Sequence, residues 1–217
     1  TCNPYTDEYL DAERFGRLDE VWRYAWDDDL GTIPARPLTD RAIAAGREDD
    51  PDRLIVHYMQ PHFPCVPCPG SGDGIALDRF GEEPISIWEE LRFGQRDVED
   101  VWELYRENLR YVLDEVALLF ENVDAETAVV TADHGNAVGE RGLYGHADGV
   151  ALDALREVPW AVTTAADAEC RVARALPDGP VAGFGASDCD CPSHLAHAGT
   201  AAALRERVER AHAGLDG

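Results

Sequence analysis

The sequence contains no lysine, so its 19 basic residues are all arginines, and they stand against 43 acidic residues for a net charge of −24. Such a surface repels phosphate backbones, which excludes nonspecific nucleic-acid binding through a basic patch. The chain also lacks any run of 18 uncharged apolar residues, so the sequence predicts no membrane span. With 217 residues and 45% hydrophobic side chains, it is long and apolar enough for one folded domain, or for one domain and a tail.

The absence of lysine has two explanations, GC-rich coding and adaptation to high salt. We favour a halophilic protein, because concentrated salt screens the repulsion between dense carboxylates. We therefore expect the melting temperature of the chain to rise when salt is increased from dilute buffer to molar concentration, as measured by scanning calorimetry. A melting temperature that falls on adding salt would contradict the high-salt interpretation.

Six cysteines, at positions 2, 65, 68, 170, 189 and 191, leave several interpretations open. The two-residue gap in Cys65-Val-Pro-Cys68 is typical of a metal knuckle or a redox pair, and it also fits a rigid proline turn. A second group could add zinc ligands from more than 100 residues away: Cys189, Cys191, His194 and His197. The cysteine count suits a reducing interior better than a disulfide-stapled secreted domain, which predicts a cytoplasmic protein. Because the chain begins with Thr1 and shows no signal peptide, we interpret it as a piece of a longer protein.

Hydrophobic periodicity predicts alternating helices and strands. Helices are predicted at 9–26, 39–47, 85–93, 97–122 and 200–215, and buried strands at 53–59, 127–132 and 158–162. A long helix between two buried strands favours an α/β fold with a mostly parallel sheet flanked by helices. The predicted organisation is an α/β domain over 1–165 and a C-terminal tail over 166–217.

Polar side chains follow the first two predicted strands. His62 comes just after the first strand, and Asp133 and His134 follow the second. Since ligands bind at the carboxyl ends of parallel strands, we expect these groups to meet at one edge of the sheet. A carboxylate with an imidazole suits zinc or manganese, and calcium or magnesium if further carboxylates join. A plain Asp-His hydrogen bond in a loop is the alternative.

The stretch at 129–146, Val-Val-Thr-Ala-Asp-His-Gly-Asn-Ala-Val-Gly-Glu-Arg-Gly-Leu-Tyr-Gly-His, resembles the sulfatase branch of the alkaline phosphatase superfamily. Gln60-Pro-His-Phe-Pro64 and Arg156-Glu-Val-Pro-Trp160 extend the resemblance over 53–162. It implies an incomplete alkaline-phosphatase-like fold with Asp133 and His134 as ligands of a divalent Ca, Mg, Mn or Zn ion. It further implies that His62 and His146 bind the substrate, a small-molecule or glycan ester of sulfate or phosphate. His146 stands where the family commonly has a lysine, so it would contact the anion as a protonated imidazole, or it would instead ligate a second metal ion.

The chain departs from that family at the nucleophile. The family's Ser, Thr or modified Cys beside an early metal-binding Asp has no match, since Cys2 follows no apolar strand and Thr6 stands where an arginine is required. The catalytic residue is therefore unknown from the sequence. Three hypotheses remain: a metal-dependent sulfuric or phosphoric ester hydrolase whose nucleophile lies upstream, a catalytically silent domain with a binding or assembly role, and an interaction module organised by cysteine-bound zinc.

Overall fold

A computed structural model describes residues 1–72, 74–81 and 85–168. The helices are α1 Thr6–Tyr9, α2 Trp22–Ala25, α3 Ala35–Glu48, α4 Ile87–Arg92, α5 Val98–Phe120 and α6 Asp153–Arg156. The strands are β1 Ala125–Thr131, β2 Ala137–Val138, β3 Tyr144–Gly145 and β4 Trp160–Ala165. The predicted helix at 200–215 and the cysteine–histidine group at 189–197 lie outside the described residues. No helix in the described ranges is long and apolar enough to cross a membrane.

Helix α5 is the central support of the structure. Its sequence has the apolar spacing of an amphipathic helix, and Asp97 caps its first turn by accepting a hydrogen bond from the backbone N–H of Glu99 at 2.9 Å. Its apolar face packs against α3 and against the inner faces of β1 and β4. The prediction of a long helix beginning after Asp97 is confirmed. The prediction at 39–47 covers only part of α3, which already begins at Ala35, directly after Pro34.

The prediction of a mostly parallel, alkaline-phosphatase-like sheet is wrong. Within the described residues the strands form two small antiparallel sheets, β1 with β4 and β2 with β3. A parallel connection needs a crossover of a dozen or more residues, usually a helix. The connection between β1 and β4, residues 132–159, is long enough for a crossover, but it forms the short β2–β3 hairpin and the four-residue α6, and β4 pairs antiparallel with β1.

The segment predicted as a strand at 53–59 joins neither sheet within the described part of the chain. The carbonyl of His57 accepts a hydrogen bond from the backbone N–H of Cys2 at 3.0 Å rather than joining a ladder with β1. Val56 packs against the same apolar cluster as the beginning of β1, and Tyr58 against the same cluster as Val130 near its end. The segment therefore runs alongside β1 in the same direction, and both segments end on the same side of the molecule.

The single helix predicted at 9–26 is also wrong. The structure has α1, a 3₁₀ turn at Ala12–Arg14 and α2, separated by irregular backbone. The apolar positions of this region are too loosely spaced to form one continuous stripe, and Gly16 lies in the middle. The buried residues collect at its end, where Val21 and Trp22 join Cys2 in an N-terminal cluster.

Candidate functional site

Three histidines from different parts of the chain converge on the side where segment 53–59 and β1 end. The ring centres of His134 and His146 are 4.5 Å apart, and those of His62 and His146 are 5.7 Å apart. We call these three side chains the imidazole cluster. The carboxylate of Asp133 borders it, with Oδ2 3.8 Å from Nε2 of His134. The structure thus brings together all four predicted site residues, which are separated by up to 84 positions in the sequence.

His134 is fixed by a close approach between its loop and α6. The backbone N–H of Gly135 donates to the carbonyl of Leu155 at 3.0 Å. A Cβ at position 135 would lie 2.1 Å from the carbonyl oxygen of Ala154, a distance that no side chain tolerates. Glycine is therefore favoured at this position, because α6 packs directly against its Cα.

His146 is carried by the β2–β3 hairpin. Its neighbour Gly145 has a positive φ of 72°, and a Cβ there would lie 3.0 Å from the indole of Trp88 on α4. The hairpin consequently lies flat against that indole and returns the chain toward His134. The hairpin is closed by the backbone N–H of Gly139, which donates to the carbonyl of Leu143 at 2.8 Å.

An aromatic cluster lies beneath the three loops. Phe63, which follows His62, makes edge-on contacts with Trp88 and is 6.1 Å from Tyr105 between ring centres. The hydroxyl of Tyr105 accepts a hydrogen bond from the Asn136 side chain at 3.3 Å. The other side-chain atom of Asn136, Oδ1, is buried and has no hydrogen-bond partner in the structure. The aromatic rings thus join the segments that carry the imidazoles into one packed unit.

The hydrogen bonds of two imidazoles determine their tautomers. Nδ1 of His62 lies 2.6 Å from the carbonyl oxygen of Phe63, and Nδ1 of His134 lies 2.9 Å from that of Gly135. Since a carbonyl only accepts, each Nδ1 carries a proton, and in the neutral ring the lone pair is therefore on Nε2. Histidines that ligate metals have this arrangement, with the second ring nitrogen donating to a carbonyl or carboxylate.

The surroundings of His146 favour its neutral form. Burial lowers its pKa, and the neighbouring His134 and His62 lower it further, since a positive charge on either of those rings would oppose one on His146. A neutral imidazole at neutral pH keeps a lone pair for a cation. A cationic imidazole that binds an anion directly, which the sequence left open for this position, is disfavoured by the same effects.

The ring-centre distances within the imidazole cluster are close to the distance between two imidazoles that ligate the same metal ion. Two imidazoles on one tetrahedral zinc ion, with Zn–N bonds of about 2.0–2.1 Å, have ring centres about 5 Å apart, and their ligand atoms are about 3.3 Å apart. The observed ring separations of 4.5 and 5.7 Å bracket the first value. However, among the described residues no group of three or more His, Cys, Asp and Glu side chains is already placed to hold a metal ion. Ligation requires side-chain movement, which the exposed Asp133 carboxylate permits.

His57 lies near the cluster without belonging to it. Its Nδ1 is 3.3 Å from the hydroxyl of Thr1. Burial lowers the pKa of His57, and the attraction of the Asp133 carboxylate does not cancel this effect.

This pKa shift predicts a loss of stability in acid. The unfolded chain binds a proton at His57 once the pH falls below about 6.5, while the folded chain still resists it, so the stabilising contribution is full above that pH and declines below it. We expect His57→Gln to make the free energy of unfolding less dependent on pH between 7.5 and 5. Urea unfolding of the metal-free chain at several pH values measures this, and equal slopes for both proteins would contradict the assignment.

The cysteines within the described residues offer neither a nucleophile nor a zinc site. Cys2 is completely buried, and burial raises the pKa of its thiol to about 12. A thiol in this state does not form the reactive thiolate at neutral pH. Cys65 and Cys68 are joined to each other by a disulfide bond, so neither sulfur is free as a zinc ligand.

Comparison with protein families matches part of the chain. The family model described as "Domain of unknown function DUF123" matches residues 145–216, about a third of the chain. The match begins one residue before His146 and includes α6 and β4, and its larger part lies outside the described residues. No curated protein and no solved structure matches the chain. The chain is thus similar to DUF123 over its C-terminal third.

These comparisons correct the family assignment made from the sequence. The family model that matches is DUF123, and no family evidence supports the sulfatase branch of the alkaline phosphatase superfamily. The absence of a mostly parallel sheet from the described ranges agrees with this correction. The likeness at 129–146 is a short motif match, a kind that arises by chance.

Sequence reasoning named the four residues that the structure brings together, and their role in a site stays a prediction; it missed the side chains that support them. Asn108, completely buried on α5, contacts the loop that carries His62. The signal that could have revealed it is its position on the apolar stripe between Tyr105 and Val112, where a polar residue is unusual.

Proposed function

We propose that the chain binds a divalent transition-metal ion between Asp133 and the imidazole cluster, and that this site binds and hydrolyses a sulfuric or phosphoric ester. The observation that carries the proposal is the convergence of three imidazoles and one carboxylate from three separate loops. Two of these imidazoles, His62 and His134, already have their Nδ1 atoms bonded to backbone carbonyls and their Nε2 atoms available. Such an arrangement has no role in packing an apolar core.

The composition of the cluster favours zinc among the metals considered from the sequence. Calcium and magnesium prefer sets of oxygen ligands, whereas imidazole nitrogen suits zinc and similar transition metals. Three imidazoles with one carboxylate are therefore matched to Zn²⁺, with Mn²⁺ as the weaker competitor. Since the ligands come from a hairpin and two loops, we expect the site to close on binding rather than to be rigidly preformed.

Each residue has a defined role in this proposal. Nε2 of His134 and the carboxylate of Asp133 hold the ion, while His146 and His62 supply further nitrogen ligands or contact the ester oxygens. A bound Zn²⁺ supplies Lewis acidity and lowers the pKa of a bound water toward 7. The structure favours a water nucleophile over a thiol, because Cys2 is buried and protonated. The same observation supports the second candidate, a domain that binds metal and anion without catalysing hydrolysis.

The predicted partners follow from this chemistry. The ester is a small molecule or a glycan, and the net charge of −24 keeps nucleic acids from competing for the site. A cytoplasmic location is kept as part of the proposal, since six cysteines in 217 residues are few for a disulfide-stapled secreted domain; in that compartment the Cys65–Cys68 disulfide is expected to be reduced.

Calorimetry and ester hydrolysis test the proposal together. The full chain, stripped with a chelator, is titrated in molar salt with Zn²⁺, Mn²⁺, Ca²⁺ and Mg²⁺, and its hydrolysis of nitrophenyl sulfate and nitrophenyl phosphate is then followed. We expect one zinc ion per chain, bound more tightly than calcium or magnesium, and zinc-dependent hydrolysis of one of the two esters. Zinc and sulfate or phosphate binding without turnover would favour the second candidate. No zinc binding would refute both.

A further inference from the structure

Asn108 is a completely buried carboxamide on α5 whose hydrogen bonds all reach the loop after segment 53–59. Its Nδ2 donates to the carbonyl oxygens of Pro61, His62 and Pro64 at 3.3, 2.9 and 3.2 Å. Its Oδ1 accepts the backbone N–H of Val66 at 3.1 Å. One side chain therefore contacts four backbone groups between Pro61 and Val66, with the two N–H bonds of its amide shared among three carbonyls.

The position of Asn108 in the helix is one that packing alone would give to an apolar residue. It follows Val101 and Tyr105 and precedes Val112 on the buried stripe of α5. Burying a carboxamide there is unfavourable unless its polar atoms are satisfied. The loop supplies all of the partners, and the loop in turn needs them, since a buried turn leaves backbone groups without water.

We infer that Asn108 is a positioning residue that sets the orientation and tautomer of the His62 ring, an inference that rests on the function proposed above. Asn108 binds the carbonyls of residues 61, 62 and 64, and these bracket the Phe63 carbonyl that accepts from Nδ1 of His62. Without the carboxamide the three carbonyls lose their donor, the loop rearranges, and the Phe63 carbonyl leaves the plane of the imidazole. The proton can then move from Nδ1 to Nε2 of His62, which removes the lone pair that the proposed metal site needs.

The chain provides a matched control for this residue. Asn122, directly beyond the end of α5, is equally buried; its Nδ2 donates to the Leu118 carbonyl at 2.8 Å and its Oδ1 accepts from Arg47 at 3.0 Å. Asn122→Ala therefore removes the same buried group, but its partners are in α3 and α5. A merely structural role for Asn108 predicts that both alanine variants behave alike.

The decisive measurement is the nitrogen-15 NMR spectrum of the imidazoles in the full, metal-free chain, because it reports the tautomer of His62 without requiring metal. We expect wild type and Asn122→Ala to show His62 protonated at Nδ1, and Asn108→Ala to shift it toward the Nε2–H form that predominates in free histidine. An unchanged His62 signal in Asn108→Ala would overturn the inference. If that variant does not fold, Asn108→Ser is measured instead, since serine fills part of the space while its hydroxyl, one bond shorter than the carboxamide nitrogen, does not reach the three carbonyls; the same tautomer shift is expected of it, and an unchanged signal would overturn the inference.

Zinc affinity forms the second arm. Loss of a supporting group behind a ligand typically weakens metal binding about 10–100-fold, and we expect this loss for Asn108→Ala but not for Asn122→Ala. Equal losses in the two variants would overturn the inference. If wild type binds no zinc, the proposed function fails, while the tautomer measurement still decides whether Asn108 positions His62.

Discussion

Replacing His134 with alanine is expected to weaken zinc binding by about two orders of magnitude. Its ring is 4.5 Å from His146 and its Nε2 is 3.8 Å from the Asp133 carboxylate, so it is central to the proposed site. Zinc bound by four protein ligands gains about 10–16 kcal/mol, or about 3 kcal/mol for each ligand, and 1.4 kcal/mol corresponds to a tenfold change in affinity. Isothermal titration of the full chain with Zn²⁺ measures the loss.

His57→Ala is the matched control for this variant. It removes the same side chain from a half-buried position near the cluster, but its Nδ1 faces Thr1. We expect its zinc affinity to stay within a few-fold of wild type. If both variants lose affinity equally, the effect comes from the stability of the region and not from ligation. If His134→Ala binds zinc as tightly as wild type, the proposed site is wrong.

The sequence predicted which chain segments come together around the four residues, although it did not predict the sheet correctly. Apolar runs at 53–59 and 127–132 are each followed by polar side chains, and the structure places His62 and His134 against the same neighbour, His146. This proximity needs only that the two segments run side by side in the same direction. It does not need hydrogen bonds between them, and the segment at 53–59 has no strand pairing.

The hydrophobic pattern alone could not determine whether the strands of the sheet are parallel or antiparallel. A buried strand has the same sequence pattern whether its neighbour is parallel or antiparallel. The relative direction of the two strands depends on the segment that connects them. Between β1 and β4 the decisive feature is that α6 has only four residues, which the sequence around Asp153 does not reveal. Local capping signals were more informative, since Asp97 marks the beginning of α5 correctly.

The residues that hold the imidazoles in place make contacts with partners far away in the sequence, and a local sequence pattern does not reveal such contacts. Asn108 contacts residues more than 40 positions earlier in the chain, and Gly135 contacts α6 about 20 positions later. A single sequence gives the composition of a loop but not the backbone that approaches it. For this reason the ligand candidates were predicted from residue type and spacing, whereas the groups that orient them were found only in the structure.

Replacing Gly135 with alanine should damage the fold and the site together. The added Cβ would lie 2.1 Å from the carbonyl oxygen of Ala154, which is backbone and cannot turn aside. The loop must therefore move away from α6, which breaks the hydrogen bond from Gly135 to Leu155. Forcing an extra carbon into a packed contact costs about 1–3 kcal/mol, and each kcal/mol lowers the melting temperature of a chain of this size by about 2–4 °C.

The effect on zinc separates this variant from an ordinary destabilising substitution. The Gly135 carbonyl accepts from Nδ1 of His134, so moving it frees the ring, and we expect zinc affinity to fall about 10–100-fold even at temperatures where the variant is fully folded. Gly16→Ala is the matched control, because nothing lies within 4 Å of a Cβ at that position. It should leave both the melting temperature and the zinc affinity near wild type. A Gly135→Ala protein that melts lower but binds zinc normally would show that the turn supports the fold without orienting His134, and the role assigned to its carbonyl would then be wrong.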